Sequence, residues 1–426
     1  MIAFLFIAFL ALLMLGMDVF FSMTVSSYLG ILFKASRQVD TSIIPLRMVA
    51  GIDEYTFVAI PLFILAGELM NKGGLTKRLI DFSLALVGHV RGSLSQVAVI
   101  TNVIMAGVSG AAVADASATG TILIPAMKEE GYEPEFAGAV IASAAIIGPV
   151  IPPSIPMVIY GVMAQQSIGK LFMGGILPGL MLGAGIMIIC WVISIRRNYP
   201  SRERMPWKQR IKVVADASWA LLMPVIIIVG IRFGLVTVTE AAGVAVVYSM
   251  LVGFFIYREM GLRDLCDVLY ETGVTTGIIM ILLSAAGIFS WLLAESQINI
   301  VVVDAIFSLS TDPVVVLLII NFMLLIIGIP LEPMPAMIIF MPALIPIGNQ
   351  LGIDPIQFGW ICVFNLLIGM LTPPVGMLLF VASAIGKIPM GPLVREITPF
   401  LILCIIVLIA VTYVPWITTW VPNAIM

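Results

Sequence analysis

IGPVIPPSIP, residues 147–156, interrupts a long apolar run, and 221 residues later IGMLTPP, residues 368–374, does the same. A proline has no backbone donor, and its ring clashes with the carbonyl four residues back. Pro152 and Pro153 therefore release the carbonyls of Gly148 and Pro149 from a helix, while Pro373 and Pro374 release those of Gly369 and Met370. The same offset pairs Gly107 with Gly328, Pro125 with Pro346, Gly131 with Gly352, Pro134 with Pro355 and Gly138 with Gly359. A shift of register by four then sets Ile168-Gly169-Lys170 on Ile385-Gly386-Lys387. Paired halves with matching Gly/Pro interruptions mark a secondary transporter whose binding site lies between repeats, on discontinuous helices.

Composition fixes the solvent. The chain of 426 residues is 61% hydrophobic and 11% charged, with a mean hydropathy of +1.16, too little charge to cover a soluble globule. Segments of roughly 17 to 25 apolar residues cross a bilayer as helices, and about ten to twelve candidates are present beside shorter pieces suited to hairpins. Helix-period stretches rather than short alternating ones exclude an outer-membrane barrel. The opening MIAFLFIAFLALLMLGMDVFF has no basic region before its apolar run and no clear cleavage site, so it reads as a retained membrane segment. Cys190, Cys266, Cys362 and Cys404 are widely spaced and read as packing residues. His89 is the only histidine, and no GxSxG, HExxH or P-loop occurs, which leaves an enzymatic reading weak.

Two units follow from the offset. Residues 1–215 form an N-terminal half with a hairpin near 106–120 and a broken helix near 148–154; residues 216–426 form a C-terminal half with a hairpin near 328–335 and a broken helix near 369–375. Between them RRNYPSRERMPWKQRIK, residues 196–212, carries seven basic residues against one acid, which makes it a cytoplasmic linker by the positive-inside rule. The acidic loop MKEEGYEPE, residues 127–135, is expected on the opposite side, and inverted repeats would then place the loop at Gly352 to Pro355 on the cytoplasmic side. Stretches 34–47, 71–93 and 258–271 mix charge with apolar periodicity and read as amphipathic helices against membrane lipid. Tyr413, Trp416 and Trp420 form an aromatic belt at a membrane face.

Freed carbonyls in hydrocarbon must be buried in protein or face a polar cavity. Oxygens without donors suit a dehydrated Na+, with a plain proline kink as the alternative at each break. GVSGAAVADASATGT, residues 107–121, suits a tight hairpin tip or a close helix contact. GIPLEPMP, residues 328–335, has three prolines and must break, and Glu332 within it is an ionisable group at membrane depth. Asp18, Asp115, Arg232 and Glu240 are further charges in apolar surroundings, with a position near a membrane interface as the alternative for each, and the preferred one for Asp18 and Arg232.

These segments resemble the large membrane subunit of the tripartite ATP-independent periplasmic (TRAP) transporters, of the sialic acid or C4-dicarboxylate type. The likeness rests on IPLFILAGELMNKGG (60–74), AGVSGAAVADASATGTILIPAM (106–127), IIGPVIPPSIPMVIYG (146–161), TEAAGVAVVYS (239–249), IGMLTPPVGMLLFVASAI (368–385) and VTYVPW (411–416). Departures are Val238 in place of a common Pro, Asp18 in place of an apolar residue, and Glu332 in place of Asp. The resemblance implies an all-α polytopic membrane protein with inverted repeats, helical hairpins and discontinuous helices, in the elevator-type ion transporter superfamily. It further implies Na+-driven import in the bacterial inner membrane, a small four-helix membrane partner and a periplasmic substrate-binding protein that delivers an organic acid, with no role for nucleic acid. A freestanding channel or an antiporter is the alternative from another class.

Carbonyl release and the repeat together assign one Na+ site to backbone near Gly107, Ser109, Gly148 and Ile151, and another to Gly328, Gly369 and the Thr372 hydroxyl. The substrate pocket is assigned to Ser109, Ser154, Glu332 and Asp115. No Lys or Arg stands near either break at membrane depth, so a substrate carboxylate falls to hydroxyls, helix N-termini and Na+.

Overall fold

The computed structural model describes residues 2–34, 41–296, 308 and 310–425, and among them every regular element is a helix. The offset read from the sequence reappears as geometry. The first hairpin is Ser93–Ser109 and Ala112–Glu129; the second is Pro313–Gly328 and Pro333–Gln350. The first broken helix is Pro134–Ala145 and Ile155–Met163; the second is Pro355–Gly369 and Met377–Gly386. Prolines open four of these helices, where a missing N–H costs nothing: Pro134, Pro313, Pro333 and Pro355. Both Pro-Pro bonds, Pro152–Pro153 and Pro373–Pro374, are cis.

The repeats exchange arms. Met377–Gly386 packs on Ala112–Glu129 and Pro134–Ala145, while Ile155–Met163 packs on Pro333–Gln350 and Pro355–Gly369. Each outgoing arm is thus buried against the other repeat.

Their inversion is read along the 24-residue helix Met390–Tyr413. Near one end Glu396 accepts from Arg197 at 2.8 Å, and Arg197 also holds Glu133 at 2.5 Å, beside the start of the first broken helix. Near the other end, about 22 Å away at 1.5 Å per residue, the Gln357 amide donates to the Val411 and Thr412 carbonyls, beside the start of the second. Equivalent loops therefore lie at opposite ends.

Several expectations change. The acidic loop lies on the same face as the basic linker, because their charges pair: Arg202 Nε holds Glu130 at 2.8 Å and Arg197 holds Glu133. Tyr199 of the linker stacks on Tyr132 at 4.3 Å. The loop before Pro355 is the one on the far face. The four-residue register shift also fails, since Ile168-Gly169-Lys170 begins the helix Ile168–Gly174 behind its Ser167 cap, whereas Ile385-Gly386-Lys387 ends one. Gln165 and Lys387, one residue off the 221 offset, are both left-handed helix ends with φ of 52° and 51°. Residues 262–271 are the first turns of the 34-residue helix Leu262–Glu295 and form no separate interfacial helix.

Among the described residues five helices are long and apolar enough to cross a membrane singly, six with the bent pair Ile43–Ala50 and Tyr55–Lys72. Shorter apolar helices of 10 to 17 residues account for part of the shortfall against ten to twelve spans: Val19–Leu32 near the start, and Ser93–Ser109, Pro313–Gly328, Pro355–Gly369 and Met377–Gly386 in the hairpins and broken helices.

The helices are described as two groups, which meet chiefly where Leu75–Val87 packs on Ser93–Ser109 and Leu262–Glu295 on Pro333–Gln350. A frame comprises the helices of residues 2–87 and 207–295; a body comprises those of 93–196 and 313–425. Glycines let the two approach at named points. A Cβ on Gly67 of the frame would stand 3.1 Å from Ser109 Cα, and one on Gly107 would stand 2.6 Å from Pro224 Cγ.

Candidate functional site

A cavity of about 420 Å³ opens along this seam, within the range that holds a small organic ligand. The frame contributes Ile64, Gly67, Glu68, Asn71, Thr275 and Ile279. The body contributes the first hairpin from Ser109 to Ala114, the second at Glu332 to Met334, and both breaks through Pro149, Ile155, Pro156 and Met370. No Lys, Arg or His among the described residues lines it.

Each hairpin tip rests on the break of its own repeat. At the first, Gly110 takes φ +61°, and a Cβ there would strike the Pro153 carbonyl. Ser109 Oγ donates to Asp115 Oδ1 at 2.5 Å. Asp115 is fully buried, its Oδ2 has no hydrogen-bond partner among the described residues, and a Cβ on Gly148 would strike that oxygen. At the second, Gly328 and Gly369 meet backbone to backbone, and a Cβ on Gly369 would lie 2.6 Å from Gly328 Cα.

The proline-released carbonyls fare unequally. Pro149 O accepts the Ser154 hydroxyl at 2.6 Å, Gly369 O accepts Thr372 N–H at 3.0 Å, and Met370 O accepts Leu378 N–H at 3.1 Å. Gly148 O receives no donor from the described residues. Ser154 is also the cap of Ile155–Met163, accepting Met157 N–H, and lies beside the cavity rather than on its wall. Thr372 Oγ1 donates to Ile368 O at 2.9 Å and keeps its lone pairs free. Ile151 turns away, its side chain against Gly179. Ser109 and Glu332 line the cavity; Asp115 stands one shell behind Ser109, and Gly107 serves the frame contact.

Sequence reasoning missed Glu68, Asn71 and Thr275. Glu68 carried the same signal as Glu332, an ionisable group inside an apolar run, IPLFILAGELMN.

Residues 6–417 match the family described as tripartite ATP-independent periplasmic transporter, DctM component. The chain belongs to this family. It is similar to the sialic acid TRAP transporter large permease SiaM of Vibrio cholerae, with 37% identity over 97% of this chain and 96% of that protein. It is similar to the C4-dicarboxylate TRAP transporter large permease DctM of the same organism, with 37% identity over 100% and 98%. In fold it resembles the Alcanivorax borkumensis YdaH transporter, with a TM-score of 0.62 at 15% identity, covering 88% of each chain. This TRAP component is a multi-pass helical membrane protein and a part of a transporter, not an enzyme.

Proposed function

We propose that this chain is the translocating subunit of a Na+-coupled importer of an organic acid in the bacterial inner membrane. A periplasmic substrate-binding protein delivers the acid, and a small four-helix membrane protein braces the frame. The observation that carries this reading is the placement of the cavity, walled on one side by the frame and on the other by both hairpin tips and both breaks. Movement of the body against the frame, as in an elevator, would expose Ser109 and Glu332 to alternate faces while Glu68 stays behind.

Na+ travels here as cargo. The orphaned, buried Asp115 Oδ2 beside Gly148 fits a cation, since an unpaired buried carboxylate is costly. It joins backbone near Gly107, Ser109, Gly148 and Ile151 as the first site; Gly328, Gly369 and the free lone pairs of Thr372 form the second. The substrate carboxylate faces the start of Ala112–Glu129, where Ala112, Val113 and Ala114 line the cavity ahead of the first intrahelical bond, Asp115 N to Ala111 O. Ser154 acts through the helix cap that shapes the first break, and Glu332 faces the substrate directly.

Proteoliposomes test the reading. Uptake of labelled sialic acid or succinate should require the small membrane partner, the binding protein and an inward Na+ gradient together. Robust uptake by this chain alone, or uptake indifferent to Na+, would refute it. Thr372→Val keeps shape but removes the hydroxyl, so half-maximal uptake should need roughly tenfold more Na+, the equivalent of one oxygen ligand at about 1.4 kcal/mol. Unchanged Na+ dependence in a well-expressed variant removes that side chain from the site.

A further inference from the structure

The cavity wall is chemically lopsided. Glu68 faces it from the frame and Glu332 from the second hairpin, and no cationic side chain among the described residues lines it. No ion pair within 4.0 Å neutralises either carboxylate among the described residues. The Ser109 hydroxyl donates its hydrogen bond to Asp115 and also accepts Ala111 N–H at 3.3 Å, so toward the cavity it too is an acceptor. Asn71, one turn beyond Glu68, uses its carbonyl oxygen to accept from Thr76 at 3.2 Å, which leaves its amide N–H groups as donors. Donors for a substrate carboxylate therefore stand at the start of Ala112–Glu129 and at the Asn71 amide, and carboxylate acceptors at Glu68 and Glu332.

We propose that Glu68 is a second substrate-facing carboxylate, which with Glu332 selects an acid bearing hydroxyl, amide or ammonium donors away from its carboxylate and rejects a dicarboxylate. The inference rests on the transport reading above and gives it a substrate class. A polyhydroxylated acid offers its carboxylate to the helix N-terminus and its donors to the two glutamates. A C4-dicarboxylate of matching length must set its second carboxylate against them, and like charges repel. Because Glu68 belongs to the frame and Glu332 to the body, the two bracket the substrate only with the body in the position seen here. Glu68 thus sets affinity in this state, while Glu332 stays with the substrate throughout.

The test is calorimetric titration of the purified membrane complex, in Na+ buffer without the binding protein, with N-acetylneuraminate and with succinate. Wild type should bind the hydroxylated acid at least tenfold tighter. Glu68→Gln, close to isosteric, should weaken that acid about tenfold, one charge-assisted hydrogen bond, and tighten succinate, narrowing the ratio from both ends. Equal or undetectable binding of the two acids by wild type overturns the substrate class, and an unchanged ratio in Glu68→Gln overturns the role of Glu68. Neither result touches Na+-driven uptake, whose own failure would instead strike the transport reading.

Discussion

Gly369→Ala should reduce transport to background and lower the melting temperature of the purified complex. A Cβ at this position would stand 2.6 Å from Gly328 Cα, with the Gly328 carbonyl carbon and oxygen nearer still. These are backbone atoms of the facing helix, so no rotamer change relieves the clash, and Pro313–Gly328 must separate from Pro355–Gly369. Over-packing a well-packed core costs about 1 to 3 kcal/mol, and a backbone obstacle places this substitution at the upper end. The same displacement pulls the second hairpin off its break and disperses the oxygens assigned to the second cation. Gly328→Ala is milder, because its Cβ would meet Gly369 Cα and Leu366 O at 3.3 Å, a few tenths too close. Gly243→Ala, with open space around its Cβ, should transport as wild type. Wild-type uptake by Gly369→Ala would show that the approach of the two glycines is dispensable.

The sequence made the repeat legible because proline and glycine act locally: Pro152, Pro153, Pro373 and Pro374 break helices whatever surrounds them. Ala112–Glu129 and Pro333–Gln350 begin and end 221 residues apart, as the offset predicts. Long-range facts were not legible. The acidic loop was misplaced because its charges were read as a topology signal, whereas Glu130 and Glu133 answer Arg202 and Arg197 across the linker. The charged turns after Gly261 looked interfacial because periodicity does not say where a helix stops, and Leu262–Glu295 simply continues. The match at Ile168 and Ile385 was a likeness of letters without a likeness of position. At the site, residues at the breaks were found from proline chemistry, but the frame wall carries no break. Glu68 and Thr275 reach the cavity only through tertiary packing.

A stretch of small residues and freed carbonyls suggests a cation without saying which oxygens hold it, and there the structure adds a decisive asymmetry. Asp115, aligned with Ala336 by the offset, has no counterpart in the second repeat. Its carboxylate is fully buried, with one oxygen bonded to Ser109 and the other without a partner. Asp115→Asn keeps the shape and an acceptor for Ser109 while removing the charge. If Na+ is the missing partner, wild type should gain stability with Na+ at about 1.4 kcal/mol per decade for each site above that site's dissociation constant, and the variant should lose the share of the first site. In K+ or choline medium the variant should be as stable as wild type or more so, since an unpaired buried charge has been removed. Transport at fixed Na+ should fall at least tenfold, with partial recovery as Na+ rises. Thermal unfolding of both proteins across a Na+ series separates this from a purely structural role: equal Na+-dependent stabilisation of the two would leave Asp115 as no more than the acceptor that orients Ser109.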